Sequence, residues 1–350
     1  MGAADHPADH PVRDLVRFNA TPAGDSTAEI ETLADIGADY DRRSKAEATW
    51  KAYRSDWNGF LAWCVAHQVT AMPASPATVA LYIADLAREG RKPSTIARRL
   101  NGIAAAHRVA GRVNPCDDER VRLRLAGIRR ARPAPKTPAT PACIEEIRAM
   151  VDFLEGVERS SSTGRAMRIR SIRDRAVVLL GFAGALRRSE IAGLDVADLR
   201  FVPEGVEVTV RVSKTDQEGE GAVLAIPYGK RLATCPVTAT RRWIGVLDEC
   251  GLSAGALIRS IGPDGYVTGR LSGSGVSGIV AKAARGAGLD PTGRWSGHSL
   301  RAGMVTTAAK AGVPAWAIMR TTRHKSGASL DGYIRLASRW ESVASAEIGL

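Results

Sequence analysis

The sequence predicts a mainly α protein of two domains, an all-helical N-terminal module followed by an α+β domain with a small antiparallel hairpin. Three observations predict it. The 350 residues are about twice the ~150 that one domain commonly takes, and 45% apolar composition supplies material for two cores. Apolar residues recur at spacings of three and four along most of the chain, the period of an amphipathic helix. Strict alternation occurs once, where Val206, Val208, Val210 and Val212 are separated by Glu207, Thr209 and Arg211.

Residues 1–40 mix Pro, Asp, His and Gly with little periodicity and read as a flexible arm. Residues 41–132 read as the helical module. Ser44 can cap a first helix bearing Trp50, Tyr53, Trp57, Phe60, Leu61 and Cys64 on its apolar face. A second helix begins near Ser75-Pro76 with Val79, Ile83 and Leu86, and a third at Ser94 with Ile96, Leu100, Ile103 and His107. Asp117 or Asp118 caps a fourth that ends near Arg132, and no strand signal precedes residue 140. The stretch PAPKTPATPA, residues 133–142, is held extended by its prolines and reads as a linker. Residues 143–350 form the second domain. There Val223, Leu224 and Ile226 return the valine-rich strand as a hairpin, and helices are expected over 234–250, 274–287, 299–311, 315–322, 327–336 and 338–347.

Charge narrows the class of partner. Lys+Arg number 49 against 37 Asp+Glu, a net +12, and forty of the 49 are arginines. A guanidinium matches two phosphate oxygens at once, so this balance suits nucleic acid. From Arg120 to Lys136 the chain carries Arg120, Arg122, Arg124, Arg129, Arg130, Arg132 and Lys136 without a carboxylate, so opposite-sign partners are locally absent. With Arg98 and Arg99 on the third helix, these are the candidate DNA contacts. A basic helix running into an open linker suits a clamp around a duplex; a solvated basic surface is the alternative. Cys64, Cys116, Cys143, Cys235 and Cys250 are scattered with no C-x-x-C pair, so neither a disulfide framework nor a zinc knuckle is encoded. The longest apolar run, Ala176 to Leu186, is too short for the ~20 residues a membrane helix needs, and no leader pattern opens the chain, so a cytoplasmic protein is expected.

Five places in the second domain can carry chemistry. In GALRRSEIAGL, residues 184–194, an apolar helix presents Arg187, Arg188 and Glu190; Arg187 and Glu190 share a face, and Arg188 points about 100° away. Lys214 leaves the valine-rich strand at the parity of the buried valines, which aims it at a cleft unless it is a solvated turn lysine. His298 and Arg301, three apart at a helix start, can converge on one anion. Arg323-His324-Lys325-Ser326 and then Tyr333 complete the set.

Together and in this order, the five resemble the motifs of the tyrosine recombinases, or phage-type integrases, over about residues 44–345. Arg187 matches that family's first catalytic arginine and Glu190 its acidic companion. Lys214 falls on the hairpin lysine, His298 and Arg301 on the H-x-x-R motif, His324 on the second His/Trp position, and Tyr333 on the nucleophile. The wording HSLRAG and YIR is similar to Cre-like members, although those carry Trp where this chain has His324. The family often places Gly before the second histidine; here it is Arg323, so the local turn is expected to differ.

The resemblance implies a site-specific recombinase that cuts and rejoins strands of double-stranded DNA through a covalent 3′-phosphotyrosine and a Holliday junction. A phenol oxygen can store the phosphodiester as an ester, which makes Tyr333 the nucleophile. Arg187 and Arg301 would clamp the charge that develops on the phosphoryl oxygens. Lys214 would protonate the leaving 5′-oxygen, His298 would assist proton transfer from Tyr333, His324 would hydrogen-bond the phosphate, and Glu190 would orient a basic partner. No metal or cofactor is called for. The resemblance further implies a homotetramer on synapsed DNA, linked by an amphipathic tail after Tyr333 that carries Leu336, Trp340, Val343 and Ile348, with accessory proteins possible. A type IB topoisomerase shares the chemistry, and a non-catalytic DNA-binding protein shares the fold; both are alternatives.

Overall fold

The computed structural model of the chain describes residues 36–37, 39–41, 44–45, 47–134, 138–211 and 221–323. The chain divides into two compact units, Met1–Lys136 and Thr137–Leu350. Most of the arm expected over residues 1–40 lies outside the described residues, as do the helices expected over 327–336 and 338–347. Residues 36–37 and 39–41 are already helical, so helical structure begins ahead of Ser44.

The first unit contains helices α1 (Glu47–Ala66), α2 (Pro76–Arg88), α3 (Pro93–Val109) and α4 (Glu119–Ala131), and no strand among its described residues. Ser44 does not cap α1: its N–H and Oγ both close a turn onto Asp41 O, and the helix starts three residues later. Ser75 caps α2 by accepting the Thr78 N–H at 3.0 Å, with Pro76 in the first turn where its missing N–H costs nothing. Pro93 opens α3, one residue ahead of the expected start. Of the two candidate caps for α4, Asp118 takes the role, accepting the Arg120 N–H. α1 packs on α3, and α2 on α4. Phe60, Cys64, Val79, Tyr82, Ile83, Ile96 and Ile103 form the core, with Phe60 edge-on to Tyr82. Leu61, expected inside, is 41% exposed, because Phe60 and Cys64 already fill the inward stripe of α1. His107 lies wholly buried: its Nε2 accepts the Ala74 N–H at 2.9 Å, which leaves Nδ1 to donate to Ile103 O. Charging this ring would break the first bond, and burial holds its pKa below the usual histidine value.

The second unit is built around α6 (Arg165–Ala183), which is buried on all sides from Ser171 to Gly181. α5 (Ile144–Arg159) lays Ile147, Met150, Val151 and Leu154 against it, and α8 (Pro236–Glu249) contributes the fully buried Trp243, whose indole N–H donates to Leu257 O. Charges caught in this core are paired: Arg173 grips Asp174 at 2.6 Å, and Arg175 lies 3.6 Å from Glu155 and 3.8 Å from Glu158. The short α7 (Arg188–Gly193) follows α6 after a turn.

The valine-rich segment is strand β2 (Gly205–Val210), the centre of a three-stranded antiparallel sheet with β1 (Leu199–Val202) and β3 (Ala222–Pro227), with Val208 opposite Leu199 and Leu224. Val206, Val208 and Val210 are buried while Thr209 faces out, the alternation read from the sequence. Val212 and the hairpin tip lie outside the described residues. Strand β1 and a second hairpin, β4 (Arg259–Ile261) with β5 (Val267–Arg270), are additions to the expected elements. α9 (Gly273–Gly286), α10 (Gly297–Lys310) and α11 (Ala315–Thr322) complete the described unit, α10 beginning two residues ahead of the expected start. Among the described residues no helix is long and apolar enough to cross a membrane.

Residues 140–142 lie along the start of α10. Thr140 N–H donates to Arg294 O, Thr140 Oγ1 accepts the Arg294 N–H, and Ala142 N–H donates to Ser299 O. A Cβ on Gly303 would lie 1.7 Å from Ala142 O, so this approach of backbone to helix requires glycine.

Candidate active site

Arg187 is not on the helix that precedes it. α6 ends at Ala183, and the chain turns through Ala185, whose φ is 45°, before Arg187 becomes the N-cap of α7. Glu190, in the first turn of α7, reaches back: Oε2 accepts the Arg187 N–H at 2.8 Å, and Oε1 takes the Arg187 Nη1 at 2.6 Å. The carboxylate thus fixes both the backbone and the side chain of one residue, with its own side chain 1% exposed. Arg188 points to solvent, in agreement with its expected separation from Arg187.

His298 and Arg301 sit on the first turns of α10. Ser296 caps that helix, its Oγ accepting the His298 N–H, while Ser299 Oγ accepts the Ser296 N–H. The α10 start lies against the α7 start, and a Cβ on Gly297 would stand 2.8 Å from Arg188 Cβ, so glycine lets the two motifs meet. Arg301 is buried. Its Nη1 donates to Ala185 O at 2.7 Å and its Nη2 to Thr322 O at 2.5 Å. One guanidinium therefore ties the turn before Arg187 to the last carbonyls of α11, where a helix leaves acceptors without intrahelical partners. Solvent reaches the His298 ring, yet the protein packed around it, then Arg301, Arg187 and Arg188, hold its pKa below the usual histidine value.

Arg323 follows Thr322 with φ 56° and ψ 41°, the left-handed conformation that glycine favours, so the arginine in place of glycine does not force another backbone class. Its Nη2 lies 2.6 Å from Glu190 Oε2. Nothing in the sequence pairs Arg323 with Glu190, which stand 133 positions apart. Burial chiefly, opposed by Glu190 and reinforced by Arg187, lowers the pKa of Arg323. The structure thus gathers Arg187, Glu190, His298, Arg301 and Arg323 from three segments. Lys214, His324 and Tyr333 lie outside the described residues.

The candidate DNA contacts of the first unit divide. Arg98 pairs with Asp56, Arg99 donates to Tyr82 Oη and Arg124 to Ala80 O. Arg120 pairs with Asp118 and Arg122 with Glu119, so opposite-sign partners do exist, just upstream of the run. Arg129, Arg130 and Arg132 are exposed and make no ion pair with a described residue; Lys136 lies outside the described residues. Among the described residues no group of three or more His, Cys, Asp and Glu side chains can hold a metal ion.

Guanidiniums crowded on one carboxylate beside an imidazole are an arrangement suited to holding an anionic group. Residues 145–339 match the phage integrase family. The chain is 38% identical over 296 residues to an integrase/recombinase xerD homolog of Selenomonas ruminantium, spanning 83% of this chain and 82% of that protein. It is 27% identical over 290 residues to the tyrosine recombinase XerC of Corynebacterium glutamicum, spanning 81% and 82%. In fold it is similar to a Tn1549 transposon integrase solved with transposon right end DNA (TM-score 0.55, 16% identity, 89% of this chain and 98% of that one). A lambda integrase dimer bound to a core site is similar at TM-score 0.51 and 16% identity, over 89% and 81%. The chain belongs to the phage integrase family: it is a tyrosine-type site-specific recombinase, an enzyme that breaks and rejoins DNA strands.

Proposed function

We propose that this recombinase works through Tyr333, with Arg187, Glu190, Lys214, His298, Arg301 and His324 as its site. The Tyr333 oxygen attacks a backbone phosphorus, a P–O bond to the tyrosine forms, and the P–O5′ bond breaks. The 3′ end of the upstream fragment is thereby held as a phosphotyrosine ester, and the downstream fragment leaves with a 5′-hydroxyl. The phenol proton passes to His298, whose lowered pKa keeps its imidazole neutral and able to accept near pH 7. Lys214 supplies the proton that the leaving 5′-oxygen takes up. Arg187 and Arg301 hold the non-bridging oxygens as charge develops there, and His324 adds a hydrogen bond. Glu190 carries no proton in this scheme; bonded to both the N–H and the guanidinium of Arg187, it sets that residue's direction. Attack by the 5′-hydroxyl of the exchanged strand reverses the step, so phosphodiester energy is conserved through a Holliday junction.

The observation that carries this reading is the convergence of Arg187, Glu190, His298 and Arg301 from two distant motifs onto one another. The substrate is double-stranded DNA bearing a specific site, gripped by the first unit through exposed arginines such as Arg129, Arg130 and Arg132. Protomers assemble as a tetramer through the tail after Tyr333, with accessory proteins where the site demands them, and the enzyme acts on DNA in the cytoplasm. Residues 1–40 carry no basic run and are dispensable for cleavage.

Nicked duplexes taken from DNA flanking the gene test the chemistry. Wild-type protein is expected to form a denaturant-resistant protein–DNA adduct, and Tyr333→Phe none. Binding without an adduct on every fragment would overturn the reading.

A further inference from the structure

We propose that Arg323 is a positioning residue of the recombination site, acting through Glu190 on Arg187 and anchoring the point from which the chain runs on to His324 and Tyr333. The inference rests on the reading of the site given above. Three observations carry it.

The first is the sharing of one carboxylate. Glu190 gives Oε1 to Arg187 Nη1, while Oε2 accepts both the Arg187 N–H and Arg323 Nη2. Fixing Oε2 from a second direction removes the freedom of the carboxylate to rotate. The Arg187 guanidinium then has one place to be.

The second is that the backbone would be easier without this side chain. Arg323 holds φ 56°, a region that glycine enters freely and a side-chain-bearing residue enters at a cost. Its guanidinium is drawn from water to 11% exposure, and Nε and Nη1 have no hydrogen-bond partner among the described residues. Packing alone therefore does not account for an arginine here; the Glu190 contact does.

The third is its place in the chain. Thr322 O is held by Arg301 and Arg323 by Glu190, so consecutive residues are moored to the two motifs assigned to the phosphate. The segment beginning at His324 leaves from that double mooring.

The test is Arg323→Gly, which suits the backbone and removes the guanidinium, with Arg323→Lys and Glu190→Gln alongside. In single-turnover cleavage of a nicked duplex, R323G is expected to form the adduct about tenfold or more slowly, with DNA affinity within about twofold of wild type and an equal or higher melting temperature. Guanidinium ion at millimolar concentration is expected to restore part of the R323G rate, and R323K to retain part of it. R323G/E190Q is expected to be no slower than E190Q alone. Cleavage by R323G at the wild-type rate, a loss of affinity that accounts for the whole loss of rate, or additive effects in the double variant would each overturn the proposal. Absence of any adduct from wild-type protein would overturn the site chemistry instead. The Arg187 Nε–H resonance then decides: a shift or broadening in R323G supports the positioning role, and an unchanged resonance overturns it.

Discussion

In the first unit nearly every arginine with a described contact has a partner of its own. Asp56 holds Arg98, Tyr82 takes Arg99, Ala80 O takes Arg124, Asp118 takes Arg120, and both nitrogens of the buried His107 end on backbone groups. At the active site the partners are shared instead. Glu190 serves two guanidiniums, Arg301 spans two segments, Arg323 keeps N–H groups with no hydrogen-bond partner among the described residues, and His298 has its pKa lowered first by burial and then by three neighbouring arginines. One-to-one satisfaction is what stabilises a fold. A cluster of guanidiniums around one carboxylate is an arrangement that a phosphate can join.

The comparison breaks most visibly where one guanidinium spans two segments. Arg301→Lys keeps the charge, but a point ammonium cannot reach Ala185 O and Thr322 O together. Single-turnover cleavage is expected to fall about 100-fold or more, a barrier change of roughly 3 kcal/mol. Next comes Gly303→Ala, which forces a methyl into Ala142 O and is expected to destabilise the second unit by about 3 kcal/mol, read by denaturant unfolding. In the first unit, His107→Ala strands the Ala74 N–H in the core, for a loss of about 1–3 kcal/mol in the same measurement.

Acidity sharpens the contrast further. The folded-state pKa of His107 lies below the 6.5 of a free histidine, so the unfolded chain binds the proton first. Its stabilisation is complete above pH 6.5 and is lost as the pH falls from there toward the lowered value. The melting-temperature gap between wild type and His107→Ala is therefore expected to narrow between pH 7 and pH 5. For His298 the same direction of shift acts on rate: cleavage is expected to hold as the pH falls to 6.5 and to decline only below that, because the imidazole must be neutral to accept the phenol proton. The smallest effect is expected from Arg132→Ala, which lowers the slope of log affinity against log salt by about 0.9 for one lost phosphate contact.

The motif residues were legible because chemistry fixes their type and order: an arginine with a glutamate three on, a histidine with an arginine three on. Helix starts were legible where a side chain caps them, as at Ser75 and Asp118. What could not be read depends on contacts distant in sequence or on backbone that leaves no mark. Ala185 turns the chain at positive φ without being glycine, so the arginine motif read as one helix when it is the junction of two. Strands β1, β4 and β5 span three or four residues, too few for a period to show. Leu61 obeyed the helical spacing and still faces out, because periodicity gives the stripe but not its width.

The strap of residues 140–142 joins two parts of the second unit. It is bonded to Arg294 on one side of the α10 cap and to Ser299 on the other, and Gly303 lets its backbone lie flush with the helix. The same three residues lead straight into Cys143, the N-cap of α5, so the turn that carries His298 and Arg301 and the start of a core helix share one short stretch of backbone.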